Sequence, residues 1–403
     1  MSQRGHYNIA LSDFVDAETD ERPQGRAGAL ARLAFLFFRI GATGFGGGMA
    51  VIALMEQELV RKRKLLPLGE FLHGVGLGQV LGSFAVNAAL FAGYRLAGWA
   101  GALTAVVSFL APSVALVIVL SALYFRYHAV PALQSAVGGL APVVVALIVS
   151  AAWNIGRRVL KAWPQWLIFS ASLLAGLLRV NPVWILLAAG TAGFSLPRAD
   201  DSTPPAHPRP SRRGASAPIA LLLPASAPLA TGIARMTLVF FRIGLVFFGG
   251  GFVLLPVLHD HLVTRLGWLT PREFIDGVAI SQLTPGPIAV LATFAGYHLG
   301  EVPGALAATA ALFAPGILWM GFLSAQYEQH KDQPWARRFL SGVNPAVAGM
   351  VLSAALVLGR GSLTGGVGLG AAGVALFLLV RTRTHPALLL AAAAVAGWLG
   401  WIR

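Results

Sequence analysis

The sequence contains no cysteine, and only 11% of its 403 residues are charged. Without cysteine the chain has neither disulfides nor thiolate chemistry. Soluble domains carry about 25% charged residues. The low charge, together with 56% hydrophobic residues, therefore excludes an ordinary soluble enzyme, a coiled coil and a disordered chain. Several apolar runs reach the roughly 20 residues that a helix needs to cross a membrane. The sequence predicts an all-α polytopic membrane protein.

Acidic residues are the scarcer charged class, with 16 Asp and Glu against 30 Lys and Arg, a net charge of +14. In a soluble chain this excess would suggest a nucleic-acid partner. Here the basic residues lie mostly in short loops, where they orient membrane segments, so no nucleic acid is expected. The sequence also has no phosphate-binding Gly-Lys loop, no His-Glu-x-x-His motif and no nucleophile elbow. An ATP-driven motor, a membrane protease and a bound cofactor are therefore not predicted.

The chain is an internal repeat with an offset of 203 residues. Residues 31–113 align with 234–316 without a gap and with 31 identities. Shared apolar composition does not explain the paired polar residues, such as Arg39 with Arg242 and Gln79 with Gln282. We predict four parts: a polar tail (1–28), a first repeat (29–197), a linker rich in Pro and Arg (198–231) and a second repeat (232–403).

Each repeat shows six apolar segments. The first is broken by a Gly triplet (32–55; 235–258), and the second is interrupted by Gly or Pro (70–96; 273–299). Four more follow near 98–125, 132–156, 162–178 and 182–197, and near 302–326, 339–358, 362–380 and 386–402.

The positions of the basic loops predict that the two repeats are inverted. Loops rich in Lys and Arg should lie on the cytoplasmic side, but they follow different segments in the two halves. Inversion requires an odd number of crossings in each half. Each arm of segment 70–96 or 273–299 has about 12 residues, or roughly 18 Å of helix, so we predict a re-entrant hairpin there and about five crossings per repeat. The alternative is twelve plain helices in parallel halves.

The broken first segments are candidates for an anion site. Broken helices in inverted repeats line the substrate sites of many secondary transporters, and free backbone N–H groups favour anions. Arg39 and Arg242 lie inside these apolar segments, where a charged residue suggests function. Tight helix packing is the alternative for the glycines. The glycines are Gly46, Gly47 and Gly48 in the first repeat and Gly249, Gly250 and Gly251 in the second.

The second segments supply further candidates. Gln79 and Gln282 carry amides that can donate to an oxyanion, and Gln282 is followed by Thr284, Pro285, Gly286 and Pro287. Glu70 and Glu273 begin these segments. They serve either as first-turn acids that favour the helix, as partners of Arg39 and Arg242, or as binders of a coupling proton. The run His259-Asp260-His261 has no third convergent ligand in its sequence neighbourhood, so a metal site is not predicted.

These motifs resemble the chromate ion transporter family in its long form with two homologous domains. The resemblance rests on Phe38-Arg39-Ile40-Gly41 with Phe45–Gly48, on their repeat at 241–251, and on Gln282–Pro287. It implies a multi-pass carrier of the bacterial inner membrane that exports chromate and confers chromate resistance.

The resemblance and the physics leave several points open. Sulfate and molybdate are tetrahedral oxyanions like chromate, and a carboxylate is a further candidate substrate. A membrane enzyme or lipid-handling protein is a less favoured alternative, because the sequence shows no acid–base or metal constellation. Membrane lipid is an expected partner, and a homodimer is among the assemblies that the sequence allows.

Overall fold

The structure is a computed structural model. It describes residues 26–44, 48–80, 83–127, 138–195, 232–246, 254–325, 334–363, 365–382 and 386–401, together with residues 135 and 384. These residues form helices and short connections, and they contain no strand. Most of the predicted tail and all of the predicted linker lie outside the described residues.

The described helices follow one another in the same order in both repeats. In the first repeat they are α1 (Arg26–Thr43), α2 (Gly48–Met55), α3 (Leu68–Val80), α4 (Phe84–Tyr127), α5 (Leu140–Val159), α6 (Trp163–Leu177) and α7 (Pro182–Gly193). In the second they are α8 (Ile233–Leu245), α9 (Leu254–Leu258), α10 (Pro271–Leu283), α11 (Leu291–Ala325), α12 (Pro334–Ser362), α13 (Gly365–Arg381) and α14 (Pro386–Trp398).

Local irregularities of the backbone repeat at the same offset as the sequence. A π-helical turn, Glu56–Lys62, follows α2, and another, His259–Arg265, follows α9, 203 residues later. Helix α4 kinks at Ala97–Gly98, and α11 kinks at the equivalent Gly300–Glu301. We call the parts before and after each kink α4a and α4b, and α11a and α11b. The kinks confirm the predicted boundary between the second and third apolar segments.

Helices α3 and α4a form the predicted hairpin. Gly74 lies against the ring of Phe91, and the side-chain amide of Asn87 donates to the carbonyl oxygen of Gly78 at 3.3 Å. These contacts pair the end of one helix with the start of the next, so the arms are antiparallel. The second repeat places Gly277 against Phe294 in the same way. With 13 residues, α3 and α10 are each about 20 Å long, too short to cross a membrane.

The two repeats are inverted, as the charge pattern predicts. At the start of α4b, Trp99 packs against Gly321 near the end of α11b. At the other end of α4b, Phe125 stacks on Tyr297, just before the kink of α11, with ring centroids 6.2 Å apart. Equivalent helices of the two repeats therefore run antiparallel. If α4b crosses the membrane in one direction, α11b crosses it in the other.

Close helix packing through glycine is the same in both repeats. Gly41 of α1 lies against the carbonyl of Phe109, and Gly244 of α8 lies against the carbonyl of Leu312. A methyl group at either glycine would overlap that backbone oxygen. Small residues allow membrane helices to approach in this way. The repeats also interlock, because α5 packs on α13 and α12 packs on α6.

Four helical segments of the described chain are long and apolar enough to span a membrane: Ala85–Tyr127, Leu140–Val159, Ile288–Phe322 and Ser341–Arg360. Helices α6, α7, α13 and α14 are apolar but shorter. Large hydrophobic side chains such as Phe35, Trp163 and Phe377 are exposed on the outside, as expected for a surface in contact with lipid. The chain is thus a multi-pass membrane protein, while the count of five crossings per repeat stays a prediction.

Candidate functional site

The tip of the second hairpin meets the end of α1 from the first repeat. The backbone N–H of Gly286 donates to the carbonyl oxygen of Gly44 at 3.0 Å. Ser113, from the middle of α4b, donates its hydroxyl to the carbonyl oxygen of Pro285. The tip of the second repeat is therefore joined to the broken first segment of the first repeat by a backbone hydrogen bond, and to α4b by a hydroxyl hydrogen bond.

The sequence of this tip explains its shape. Helix α10 ends at Leu283, because the extended Thr284 precedes Pro285, and the residue before a proline avoids the helical conformation. Gly286 has a φ of +104°, which residues with a side chain rarely adopt. A short 3₁₀ turn over Ile288–Val290 then leads into α11. The result is a sharp break between two helix ends, at which backbone groups have no partner within their own helices and bond to the first repeat instead.

Buried hydroxyl groups surround the tip. Ser113, Ser281 and Thr284 are all buried. Ser281 donates to the carbonyl oxygen of Gly277 at 2.8 Å, and Thr284 donates to that of Ser281 at 3.0 Å. Since a hydroxyl oxygen can also accept a hydrogen bond, this side of the hairpin is polar in a protein whose interior is otherwise mainly apolar.

The structure describes part of the predicted site. Gly46, Gly47 and the second triplet at 249–251 lie outside the described residues, whereas Gly48 begins α2. Gln79 lies in the last turn of α3, and the half-buried Gln282 lies in the last turn of α10. Each glutamine is thus the next-to-last residue of the first helix of its hairpin, and its role in binding an anion stays a prediction.

Arg39 pairs with an acid that the sequence analysis did not consider for it. Its guanidinium donates to Glu58 at 3.1 Å, and Glu58 is only 4% exposed whereas Arg39 is 49% exposed. Lys62 donates to the same carboxylate at 2.8 Å, and Arg63 lies 3.7 Å from it. These cations hold the pKa of Glu58 below its ordinary value, with the Lys62 hydrogen bond as the largest cause, despite the opposing effect of burial. The three basic residues together exceed the charge of the single carboxylate.

The predicted acids have other partners. Glu70 forms an ion pair with Arg95 of α4a. Glu273 accepts hydrogen bonds from the backbone N–H and the hydroxyl of Thr270, both at 2.8 Å, and completes a capping box at the start of α10. A pairing of either acid with Arg39 or Arg242, one of the alternatives above, was wrong for the described residues, because Glu70 pairs with Arg95 of the neighbouring helix and Glu273 bonds to Thr270 of its own cap.

Arg242 has a different environment from its counterpart Arg39. It is half-buried in α8, and His261 occupies the position equivalent to Glu58. His261 places its Nδ1 atom 3.0 Å from the carbonyl oxygen of Val257. Within the described parts of the chain no acidic residue forms an ion pair with Arg242. Its charge is therefore uncompensated by any described carboxylate.

The run 259–261 lies in the π-helical turn after α9. Asp260 accepts a hydrogen bond from Arg265 at 2.6 Å, and His259 meets the ring of Phe274 edge-on. Burial lowers the pKa of His259, although the nearby Asp260 opposes this shift. Among the described residues, no three His, Asp or Glu side chains come together as metal ligands.

The sequence analysis missed Asp276. This residue lies in the middle of α10, is only 3% exposed, and accepts a hydrogen bond from the hydroxyl of Tyr124 in the first repeat at 2.7 Å. Its position in the sequence could have identified it, because an acid inside an apolar membrane segment suggests function by default. Its tyrosine partner, 152 residues away, is visible only in the fold.

Comparison with known proteins decides the family. A family model described as "Chromate transporter" matches residues 31–194 and, a second time, residues 234–398. The chain belongs to the chromate transporter family. This family member is 30% identical to a "Chromate transport protein" of Pseudomonas aeruginosa over 99% of both chains. It is 29% identical to a "Probable chromate transport protein" of Synechococcus elongatus over 83% of this chain and 86% of that one. No solved structure matches.

A shorter relative of this chromate transporter family member is informative about the repeat. An "Uncharacterized transporter" of Bacillus subtilis, YwrA, is 31% identical over 39% of this chain but over 91% of its own length. The matched region of the transporter family member is thus close in size to one of its two repeats.

Proposed function

We propose that this protein exports chromate across the bacterial inner membrane and thereby confers chromate resistance. The observation that carries the proposal is the hydrogen bond between Gly286 at the tip of the second hairpin and Gly44 at the end of α1. A contact between broken helices of two inverted repeats is the arrangement in which secondary transporters bind their substrates. The family and the names of the relatives support chromate as the anion.

The proposed site replaces the water that a dianion loses on entering the protein. Moving an unpaired dianion from water into a low dielectric costs tens of kcal/mol. Backbone N–H groups at the helix breaks, the arginines and the amides can supply hydrogen bonds and positive charge instead. The residues assigned to this role are Arg39, Gly46, Gly47, Gly48, Gln79, Arg242, Gly249, Gly250, Gly251, Gln282, Thr284, Pro285, Gly286 and Pro287.

We assign unequal roles to the two arginines. Arg39 shares the carboxylate of Glu58 with Lys62, so part of its charge is already neutralised. Arg242 is half-buried and has no described acidic partner, so it gains more from a bound anion. We propose that Arg242 provides the stronger electrostatic contribution and that Arg39 contributes at the other half of the site.

The membrane potential is sufficient as a driving force in this proposal. In a cell that is negative inside, outward movement of a dianion gains about 4.6 kcal/mol per 100 mV, twice the value for one charge. Export by this protein therefore requires no ATP, in agreement with the lack of a phosphate-binding loop in the sequence.

Efflux measurements with arginine variants test the proposal. Cells expressing the protein, Arg39→Ala or Arg242→Ala are loaded with radioactive chromate, and its release is followed with a panel of competing anions. Loss of a charged hydrogen bond is worth about 1.5–3 kcal/mol, so we expect Arg242→Ala to slow efflux by about tenfold to a hundredfold and Arg39→Ala by less.

Arg61→Ala is the matched control, because Arg61 is an exposed arginine that pairs with Glu56 outside the proposed site. Normal efflux by both site variants at normal expression would contradict the site. Efflux of radioactive sulfate or molybdate in the absence of chromate efflux would replace chromate as the proposed substrate and keep the anion site.

A further inference from the structure

Asp276 is a buried carboxyl group at the contact between the two repeats. It lies on α10 with 3% of its surface exposed, and Tyr124 of α4b donates a hydrogen bond to it at 2.7 Å. In the described part of the chain no basic side chain forms an ion pair with it. A carboxyl group in such a position is held in its charged form at a considerable cost, so its protonation state depends on small changes in the surrounding charge.

The groups that act on Asp276 are few. They are the Tyr124 hydroxyl from the first repeat, and Arg272 and Glu273 from the first turn of its own helix. The ring of Phe294, from α11a, packs beside Tyr124 with centroids 5.6 Å apart and supplies no charge. The two charged neighbours on α10 are of opposite sign, which leaves Asp276 responsive to a third charge.

An anion bound at the proposed site supplies that third charge. Asp276 lies in α10 eight residues before Thr284, the residue that follows the end of the helix, which is about 12 Å at 1.5 Å per residue. Two negative charges on the anion and one on the carboxylate repel each other over this distance, and the repulsion is strong where water is excluded. Protonation of Asp276 removes the repulsion, so anion binding and proton binding favour each other.

We propose that Asp276 takes up a proton when the anion binds, so that this protein carries a proton together with chromate and moves one net negative charge, with half the gain from the membrane potential that the bare dianion would have. This inference rests on the proposed function. The proton comes from water on the side at which the anion enters, is held on an oxygen of the Asp276 carboxyl group, and returns to water on the other side when the anion leaves. Tyr124 makes the carboxyl group sensitive to the relative position of the two repeats, because the hydrogen bond connects them.

The test is a binding measurement at several pH values. Chromate, adjusted to the pH of the sample, is titrated into the purified full-length protein in weakly buffered detergent at mildly alkaline pH. Proton uptake is read with an indicator dye. For the wild type we expect uptake of about one proton per bound anion and an affinity that falls by up to tenfold per pH unit, because the two equilibria are linked.

Asp276→Asn is the decisive variant, because asparagine resembles the neutral carboxyl group. We expect it to bind chromate with an affinity independent of pH, to take up no proton, and to bind about tenfold more tightly than the wild type at alkaline pH. Tyr124→Phe keeps the carboxyl group and removes a hydrogen bond to its charged form. We expect it to keep proton uptake with its midpoint moved to higher pH. Asp260→Asn, the same change at the acid that pairs with Arg265, should behave as the wild type.

The outcomes separate the two proposals. Chromate binding by the wild type without proton uptake would overturn this inference and leave the proposed function standing. Proton uptake retained by Asp276→Asn would also overturn it. If Asp276→Asn does not fold, the inference would be overturned by a Tyr124→Phe variant whose proton uptake has the same pH midpoint as the wild type. A folded wild type that binds neither chromate nor sulfate at any pH would overturn the proposed function, and this inference with it.

Discussion

The two repeats have the same backbone but different chemistry. The π-helical turns, the kinks at Ala97–Gly98 and Gly300–Glu301, and the glycine contacts of α1 and α8 all recur at one offset. Several side chains near the hairpins and helix breaks do not recur, although Arg39 and Gln79 keep their counterparts Arg242 and Gln282. Positions that differ, with the first repeat named first, are Glu58 and His261, Ser83 and Gly286, Arg95 and His298, and Ser113 and Gly316.

This difference indicates which features each repeat needs. Inverted repeats exchange conformations during alternating access, so both copies need the same mechanical parts. One bound anion does not need two identical half-sites. The structure accordingly keeps kinks and close packing twice, whereas the tight Pro-Gly-Pro tip occurs once, in the second repeat, opposite Ser113 of the first.

The largest effect is expected when the second tip is given the residue of the first. Gly286→Ser introduces a Cβ that would overlap the Ser113 hydroxyl, at a φ of +104°. Strain and overpacking together cost about 2–5 kcal/mol. We expect chromate efflux to fall at least tenfold. Gly69→Ala, at a helical glycine with open space around it, is the control. Wild-type efflux by Gly286→Ser would show that the two tips are interchangeable.

The shared packing should respond equally in the two copies. Gly41→Ala and Gly244→Ala each force a methyl group against a carbonyl oxygen of the neighbouring helix. We expect each to lower the free energy of unfolding by about 1–3 kcal/mol, measured by thermal melting in detergent. A marked loss of stability from only one of the two substitutions would show that the two repeats do not depend equally on this packing.

The ion pairs of Glu58 with Arg39 and Lys62 should contribute to stability in the first repeat, without an equivalent in the second. Glu58→Gln leaves Arg39 and Lys62 without their shared carboxylate, and we expect a loss of about 1–2 kcal/mol near neutral pH. Since the pKa of Glu58 is lowered in the folded protein, its contribution is present above its ordinary pKa of 4.5 and is lost as the pH falls through the folded value. The melting temperature of Glu58→Gln should therefore depend less on pH in the acidic range than that of the wild type. His261→Gln is the matched change in the second repeat, and an equal loss there would contradict the comparison.

The smallest effect is expected at the kinks. Gly98 has a φ of 62° and Glu301, at the equivalent position, has a φ of 51°. Glycine accommodates this conformation, whereas glutamate is strained. We expect Gly98→Ala to destabilise the protein by about 1 kcal/mol and Glu301→Gly to stabilise it by a similar or smaller amount, by melting temperature. Destabilisation by Glu301→Gly would show that its side chain, rather than the backbone, is needed at the second kink.

The sequence predicts the helical class, the repeat, the hairpins and the inverted orientation, because each is visible in local composition or in the self-alignment. The partners of single side chains are a different matter. Arg39 and Glu58 are 19 residues apart, and the π-helical turn that brings Glu58 to Arg39 has no recognisable sequence signal. Tyr124 and Asp276 meet only because α4b of one repeat packs on the hairpin of the other. Such pairs depend on tertiary packing, which the hydrophobic periodicity of the sequence does not predict.

The link between Gly286 and Gly44 has a consequence for mutagenesis. Both of its atoms belong to the main chain, so among the natural residues only proline at position 286 would remove the donor, and an alanine scan reports the strain and crowding that it introduces. Replacing the peptide N–H of Gly286 by an ester oxygen would remove the donor and leave every side chain in place. The bond therefore depends on the backbone conformation at this point, and the positive φ of Gly286 is what limits the residues that can stand there.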